Sequence, residues 1–214
     1  MQTTVFLIRH GATPWHAEGR VLGQRDIPLS EEGVAQSERA AAALASVKLG
    51  EVLSSPLQRA IQTAEIIGQK AGIEVARDPR LIDFQLGKWT GMTHAEVAAN
   101  EEYQKFIRQP QSERIPGGES LEDIRRRAVA AVEQALRDTP SGDAVAIVTH
   151  AGIIRVVLTH YMGSPPANYH RVRVSLGSIS ILSFADDREL PRVLAVNLGV
   201  PLTDVLEKKG KPNA

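Results

Sequence analysis

The 214-residue chain has no cysteine, few aromatics (4%) and no net charge, with 25 basic side chains against 25 acidic ones. Without cysteine there is no disulfide framework, no thiol nucleophile and no Cys-based zinc or iron–sulfur site. A neutral balance argues against a broad grip on nucleic acid and against a polybasic membrane anchor. Long apolar runs are missing too: residues 40–45 and 144–148 are among the longest, whereas a membrane span needs about 20 residues. The first ten residues lack a basic start and a small-residue cleavage site, so the expectation is a cytoplasmic protein. The hydrophobic content of 43% is that of a folded chain. At about 150 residues per domain, this length favours one large domain, residues 1–214.

The apolar runs 5–8 and 144–148 read as buried parallel strands, and shorter strands fit 51–54, 73–76, 178–184 and 192–196. Helical patterns lie between them. Ser30 is an N-cap before Glu31 and Glu32; Pro56 is placed at the first helical position of a helix over 57–71, ending at Gly72. Ser120 and Asp123 form a capping-box pattern for a helix to residue 137, and a further helix over 153–162 stops at Gly163. Alternating strands and helices imply an α/β class, a three-layer α/β/α sandwich with a mostly parallel central sheet. Residues 79–118 read as a small cap insertion, partly helical over 93–107, and residues 207–214 as a flexible tail.

Three strand-to-helix junctions carry the residues able to do chemistry. They are Arg9-His10-Gly11, the segment 54–64 with Arg59, and Thr149-His150-Ala151-Gly152. Singly, each has a plain reading as a surface turn, a solvated helix arginine and a satisfied core histidine. Together they bring Arg9, His10, Arg59 and His150 to one sheet edge, where open α/β sheets gather their ligands. Two guanidinium forks suit a phosphate. No H-E-x-x-H spacing occurs, and two arginines would repel a divalent cation.

These segments resemble the histidine phosphatase superfamily, the phosphoglycerate mutase-like family, on its phosphatase branch. The likeness extends to Gly19-Arg20, residues 23–26, Pro28-Leu29-Ser30, Gly33 and residues 87–91, in the same order. It implies a phosphohistidine mechanism with His10 as nucleophile, and with Arg9, Arg59 and His150 binding the phosphate oxygens. It implies no metal ion and no cofactor. Thr13, His16, Gly23 and Ala151 match positions that line phosphate or substrate in relatives; His16 departs from the usual asparagine. Asp83 stands where the family usually has a glutamate proton donor, one methylene shorter, and Glu119 is the reserve candidate.

In the mutases that the chain resembles, an arginine and a tyrosine follow the acid; here those positions are Phe84 and Leu86, and His94 replaces a lysine. The expected activity is therefore hydrolysis of small phosphomonoesters. A phosphoglycerate mutase is the alternative, and a non-catalytic phosphate-binding module a more distant one. Trp15 and Trp89 are read as packing residues, and His94, His160 and His170 as surface or structural. The expected partner is a small phosphomonoester, with no nucleic acid and no membrane, in a monomer or homodimer.

Overall fold

A computed structural model describes residues 2–110, 112–140, 142–185 and 190–199; the expected tail over 207–214 lies outside them. In chain order the elements are β1 (Gln2–Arg9), α1 (Pro14–Ala17), α2 (Glu31–Ala43), β2 (Leu49–Ser54), α3 (Gln58–Ala71), β3 (Val75–Arg77), α4 (His94–Ala99), α5 (Glu101–Arg108), α6 (Leu121–Asp138), β4 (Ala144–Thr149), α7 (Ala151–Tyr161), β5 (Ile179–Ala185) and β6 (Arg192–Leu198). The sheet order is β3-β2-β4-β1-β5-β6. β1 to β4 are mutually parallel, while β5 runs antiparallel to β1 and to β6.

Strand alternation splits the core into two layers. Phe6, Ile8, Val52, Ala146 and Val148 face α2 and α3, while Val5, Leu7, Val145 and Ile147 face α6 and α7. Val97 of α4 and Phe106 of α5 join the second layer, so the helical part of the 79–118 stretch packs onto the main core.

Two local expectations need correction. The segment after β2 does not start its helix at Pro56: α3 begins at Gln58, whose N–H donates to Asp26 Oδ1 at 2.6 Å. A side chain 32 residues away caps the helix, and Pro56 stays in the connecting bend. The 93–107 helix is two helices. Asn100 ends α4 and caps α5, its side chain accepting from Tyr103 N–H at 3.1 Å.

Where β1 leaves the sheet, its backbone lies against the start of α2. A Cβ on Gly33 would sit 2.0 Å from the Ala12 carbonyl oxygen, and one on Gly11 would sit 2.1 Å from that of Gly33. Both obstacles are backbone, so the chain itself would have to shift. Gly33→Ala is expected to cost about 3 kcal/mol or more in chemical denaturation; an unchanged midpoint would contradict this contact.

Candidate active site

β1 and β4 are neighbours in register, with Arg9 opposite Thr149, so His10 and His150 leave the sheet side by side. Their ring centroids are 5.1 Å apart. Arg59, fully buried in the first turn of α3, completes the floor: its Nε donates to His10 Nε2 at 3.2 Å. His10 Nδ1 lies 2.7 Å from the Gly11 carbonyl, which can only accept. The proton is therefore on Nδ1, and Nε2, which accepts the Arg59 N–H, carries the one ring lone pair at the floor of the cleft. Burial, then Arg59, His150 and Arg9, hold His10 well below the ordinary imidazole range. It is a neutral, oriented imidazole.

The cleft above it has a volume of about 120 Å³ and is lined by Arg9, His10, His16, Gly23, Asp83 and Ala151, among others. Arg9 hangs from the Val174 carbonyl by NH1 at 2.8 Å, and its buried Nε has no hydrogen-bond partner among the described residues. Burial and then Arg155 push its pKa down to about 9. His16 Nδ1 accepts from Thr13 N–H at 3.1 Å, which leaves the His16 proton on Nε2. That proton faces Arg9 NH2 at 3.2 Å. Both groups are donors, and both line the cleft. Ala151 and Gly152 open α7, so the helix terminus that favours anions also borders the cleft.

Not every expected residue reaches the opening. Thr13 is buried, and its hydroxyl lies 2.8 Å from His16 Nδ1; it positions His16 and does not line the cleft. Arg59 and His150 lie in the floor beneath it. Arg59 also donates to the Arg25 and Gly23 carbonyls at 2.7 Å and to Asp83 Oδ2 at 3.0 Å. Gly23 lines the wall in the left-handed conformation, with φ of 52°. His150 Nε2 lies 2.8 Å from Ser55 Oγ, while its buried Nδ1 makes no hydrogen bond among the described residues and is 3.6 Å from Asp83 Oδ2.

Asp83 is the carboxylate at this opening. Its pKa is raised because burial outweighs Arg59, the Phe84 N–H and Arg9. Glu119, the reserve candidate, is taken up elsewhere: it pairs with Arg127 at 2.8 Å and accepts the Gln85 N–H at 3.1 Å. Arg127 in turn holds the carbonyls of Arg80, Ile82 and Asp83 at 2.7, 2.6 and 3.2 Å. The Glu119–Arg127 pair thus clamps the loop that presents Asp83. Sequence reading missed Arg127, and it misplaced His94, which lines the cleft near Arg9.

The model of the histidine phosphatase superfamily, branch 1, matches residues 5–198. The chain belongs to this superfamily. A probable phosphoglycerate mutase of Yersinia enterocolitica is 32% identical over 184 residues, 85% of each chain. A solved mycobacterial glucosyl-3-phosphoglycerate phosphatase superposes with a TM-score of 0.82 at 28% identity, covering 92% of this chain and 99% of the other. YhfR of Bacillus stearothermophilus has a TM-score of 0.82 at 30% identity, covering 92% and 96%. This histidine phosphatase relative therefore has neighbours named for mutase and for phosphatase activity, and both move phosphoryl groups.

The buried histidines make a stability test. Burial is the first cause of depression at His10, at His150 and at His16, where it brings the pKa to about 3. Each favours the folded state fully above the ordinary value of 6.5, and that contribution is lost as pH falls below it. The loss reaches at most about 1.4 kcal/mol per pH unit per histidine. Denaturation between pH 7.5 and 5.5 should show this slope, shallower in His16→Asn; an identical slope would remove His16 from the account.

Proposed function

We propose that this protein is a metal-independent phosphomonoesterase acting on small phosphorylated metabolites through a phosphohistidine on His10. The observation that carries the reading is the neutral His10 ring, its proton fixed on Nδ1 by Gly11 and its Nε2 accepting from Arg59, beside a cleft bordered by cationic donors; when the Arg59 N–H turns to a phosphate oxygen, the Nε2 lone pair is released for attack. In the first step Nε2 attacks phosphorus as the ester P–O bond breaks, and Asp83 gives its proton to the leaving alkoxide. In the second, the Asp83 carboxylate takes a proton from water, whose oxygen attacks the phosphohistidine and releases phosphate. Arg9, Arg59 and His150 stabilise the charge on the transferring group, and His16, Gly23 and Ala151 border it. Thr13 acts through His16.

Hydrolysis is favoured over isomerisation by the wall beyond the phosphate. Phe84 is buried and stacks on Tyr169 with a centroid distance of 6.3 Å, and Leu86 lines the same wall. A broad panel of phosphorylated metabolites, assayed for both free phosphate and isomerised ester, tests the assignment. Phosphate released in step with substrate loss is the expected result. Conversion of 3-phosphoglycerate to its 2-isomer with little free phosphate would make the protein a mutase, and tight phosphate binding without turnover would make it a binding module.

A further inference from the structure

α6 carries three arginines in a row, Arg125, Arg126 and Arg127, and a charge run on a helix is usually a solvated face. Two of them behave so. Arg125 pairs with Glu122 and Arg126 with Asp123, each three residues back on the same helix. Arg127 turns to the loop over 80–85 instead. Its Nε donates to Glu119 Oε1 at 2.8 Å, and Nη2 donates to Glu119 Oε2 at 3.0 Å and to the Asp83 carbonyl at 3.2 Å. Nη1 donates to the Arg80 and Ile82 carbonyls at 2.7 and 2.6 Å. A guanidinium has five N–H groups, and all five are engaged here, so none is left to bind substrate. Glu119 also accepts the Gln85 N–H. Residues 80, 82, 83 and 85 are thus tied to one ion pair.

The Asp83 carbonyl has a second donor. Gln24 Nε2 reaches it at 3.0 Å from the segment 23–26, whose role the sequence leaves open. That segment is fastened to Arg59, which holds the carbonyls on either side of Gln24, those of Gly23 and Arg25, at 2.7 Å each. The backbone of Asp83 is therefore pinned between α6 and Arg59. Neither Arg127 nor Gln24 lines the cleft. A carboxyl that protonates a departing oxygen must lie within hydrogen-bond reach of it, and a misplacement of about 1 Å can cost on the order of 100-fold.

We infer that Arg127 and Gln24 are positioning residues, which act through the Asp83 backbone to aim its carboxyl at the leaving oxygen, and that Glu119 orients Arg127. This deepens the phosphomonoesterase reading and rests on Asp83 as the donor. Their loss then falls on one step, protonation of the leaving group.

The test uses two variants on an alkyl phosphate and on nitrophenyl phosphate. Arg127→Lys keeps a charge that is among the causes depressing His150, but loses the fork. Gln24→Leu keeps the bulk and loses the donor. On the alkyl ester, kcat should fall about 10- to 100-fold in Arg127→Lys and about 3- to 10-fold in Gln24→Leu, with KM within about twofold. Nitrophenyl phosphate, whose phenolate needs no proton, should lose less than about twofold. The fall of alkyl-ester kcat with rising pH should persist in Arg127→Lys, because the carboxyl is misaimed and not removed. Added to Asp83→Asn, Arg127→Lys should cost almost nothing further on the alkyl ester, since both act on one step. An arginine that merely supports the fold would lower both esters alike, and its loss would add to that of Asp83→Asn; either result overturns the inference. Should Arg127→Lys fail to fold, Gln24→Leu decides: a ratio of the two esters equal to that of the wild type overturns it. Failure of the underlying reading looks different and takes the inference with it: Asp83→Asn then loses equally on both esters, or the wild type does not hydrolyse nitrophenyl phosphate.

Discussion

His10→Ala is expected to abolish turnover, with a loss on the order of 10⁴-fold or more in kcat. The size follows from what the ring does. Its Nδ1–H is committed to the Gly11 carbonyl, so attack falls to Nε2 once the Arg59 N–H turns from it to the phosphate. Burial and the neighbouring Arg59 keep that nitrogen unprotonated. The other two histidines at the site are placed differently: His16 uses Nδ1 to accept from Thr13, and His150 Nε2 lies against Ser55 Oγ. Rapid quench with phosphorus-labelled substrate gives the independent readout. Label should appear on the wild-type protein, stable to alkali and lost in acid, and should be absent from His10→Ala. Full turnover by the wild type without labelled histidine would refute the covalent route even if the variant is inactive.

The parts of this site that were legible in the sequence are those set by local signals. A strand that ends in Arg9-His10-Gly11 and another that ends in Thr149-His150-Ala151 fix their own registers, and parallel pairing does the rest. What was not legible depends on partners distant in the chain. Arg127 reads as a solvated helix arginine, yet its carbonyl partners lie 44 to 47 residues away. Arg155 reads as any polar residue of an amphipathic helix, yet its Nε donates to the Val172 carbonyl, 17 residues on, at 2.8 Å. The start of α3 was misplaced because its cap, Asp26, comes from another loop. The break at Asn100 is different: Asn before Glu101 and Glu102 is a local N-cap signal that could have been read. His94 was passed over because a histidine without a motif is usually structural, and only the fold brings it to the cleft.

Asp83→Asn is expected to separate substrates by their leaving groups. Alkyl phosphates, whose alkoxide must be protonated as it departs, should lose about 10²- to 10⁴-fold in kcat. Nitrophenyl phosphate, whose phenolate leaves unaided, should lose far less. The carboxyl must be protonated at the first step, and the site works in that direction. Burial already raises its pKa against the pull of Arg59. When a phosphate dianion enters, it takes up the positive field of Arg59 and Arg9 and repels the Asp83 carboxylate, so the pKa rises further in the complex. The substrate thus helps to protonate the acid that will release its leaving group. Two consequences can be measured on one alkyl ester. The kcat of the wild type should fall as pH rises through the Asp83 pKa in the complex, and this limb should be missing from Asp83→Asn. Asp83→Glu, one methylene longer on a loop whose carbonyls Arg127 holds, should keep only part of the alkyl-ester activity. Equal losses on alkyl and nitrophenyl esters would remove Asp83 from proton transfer and leave it as the ion-pair partner of Arg59.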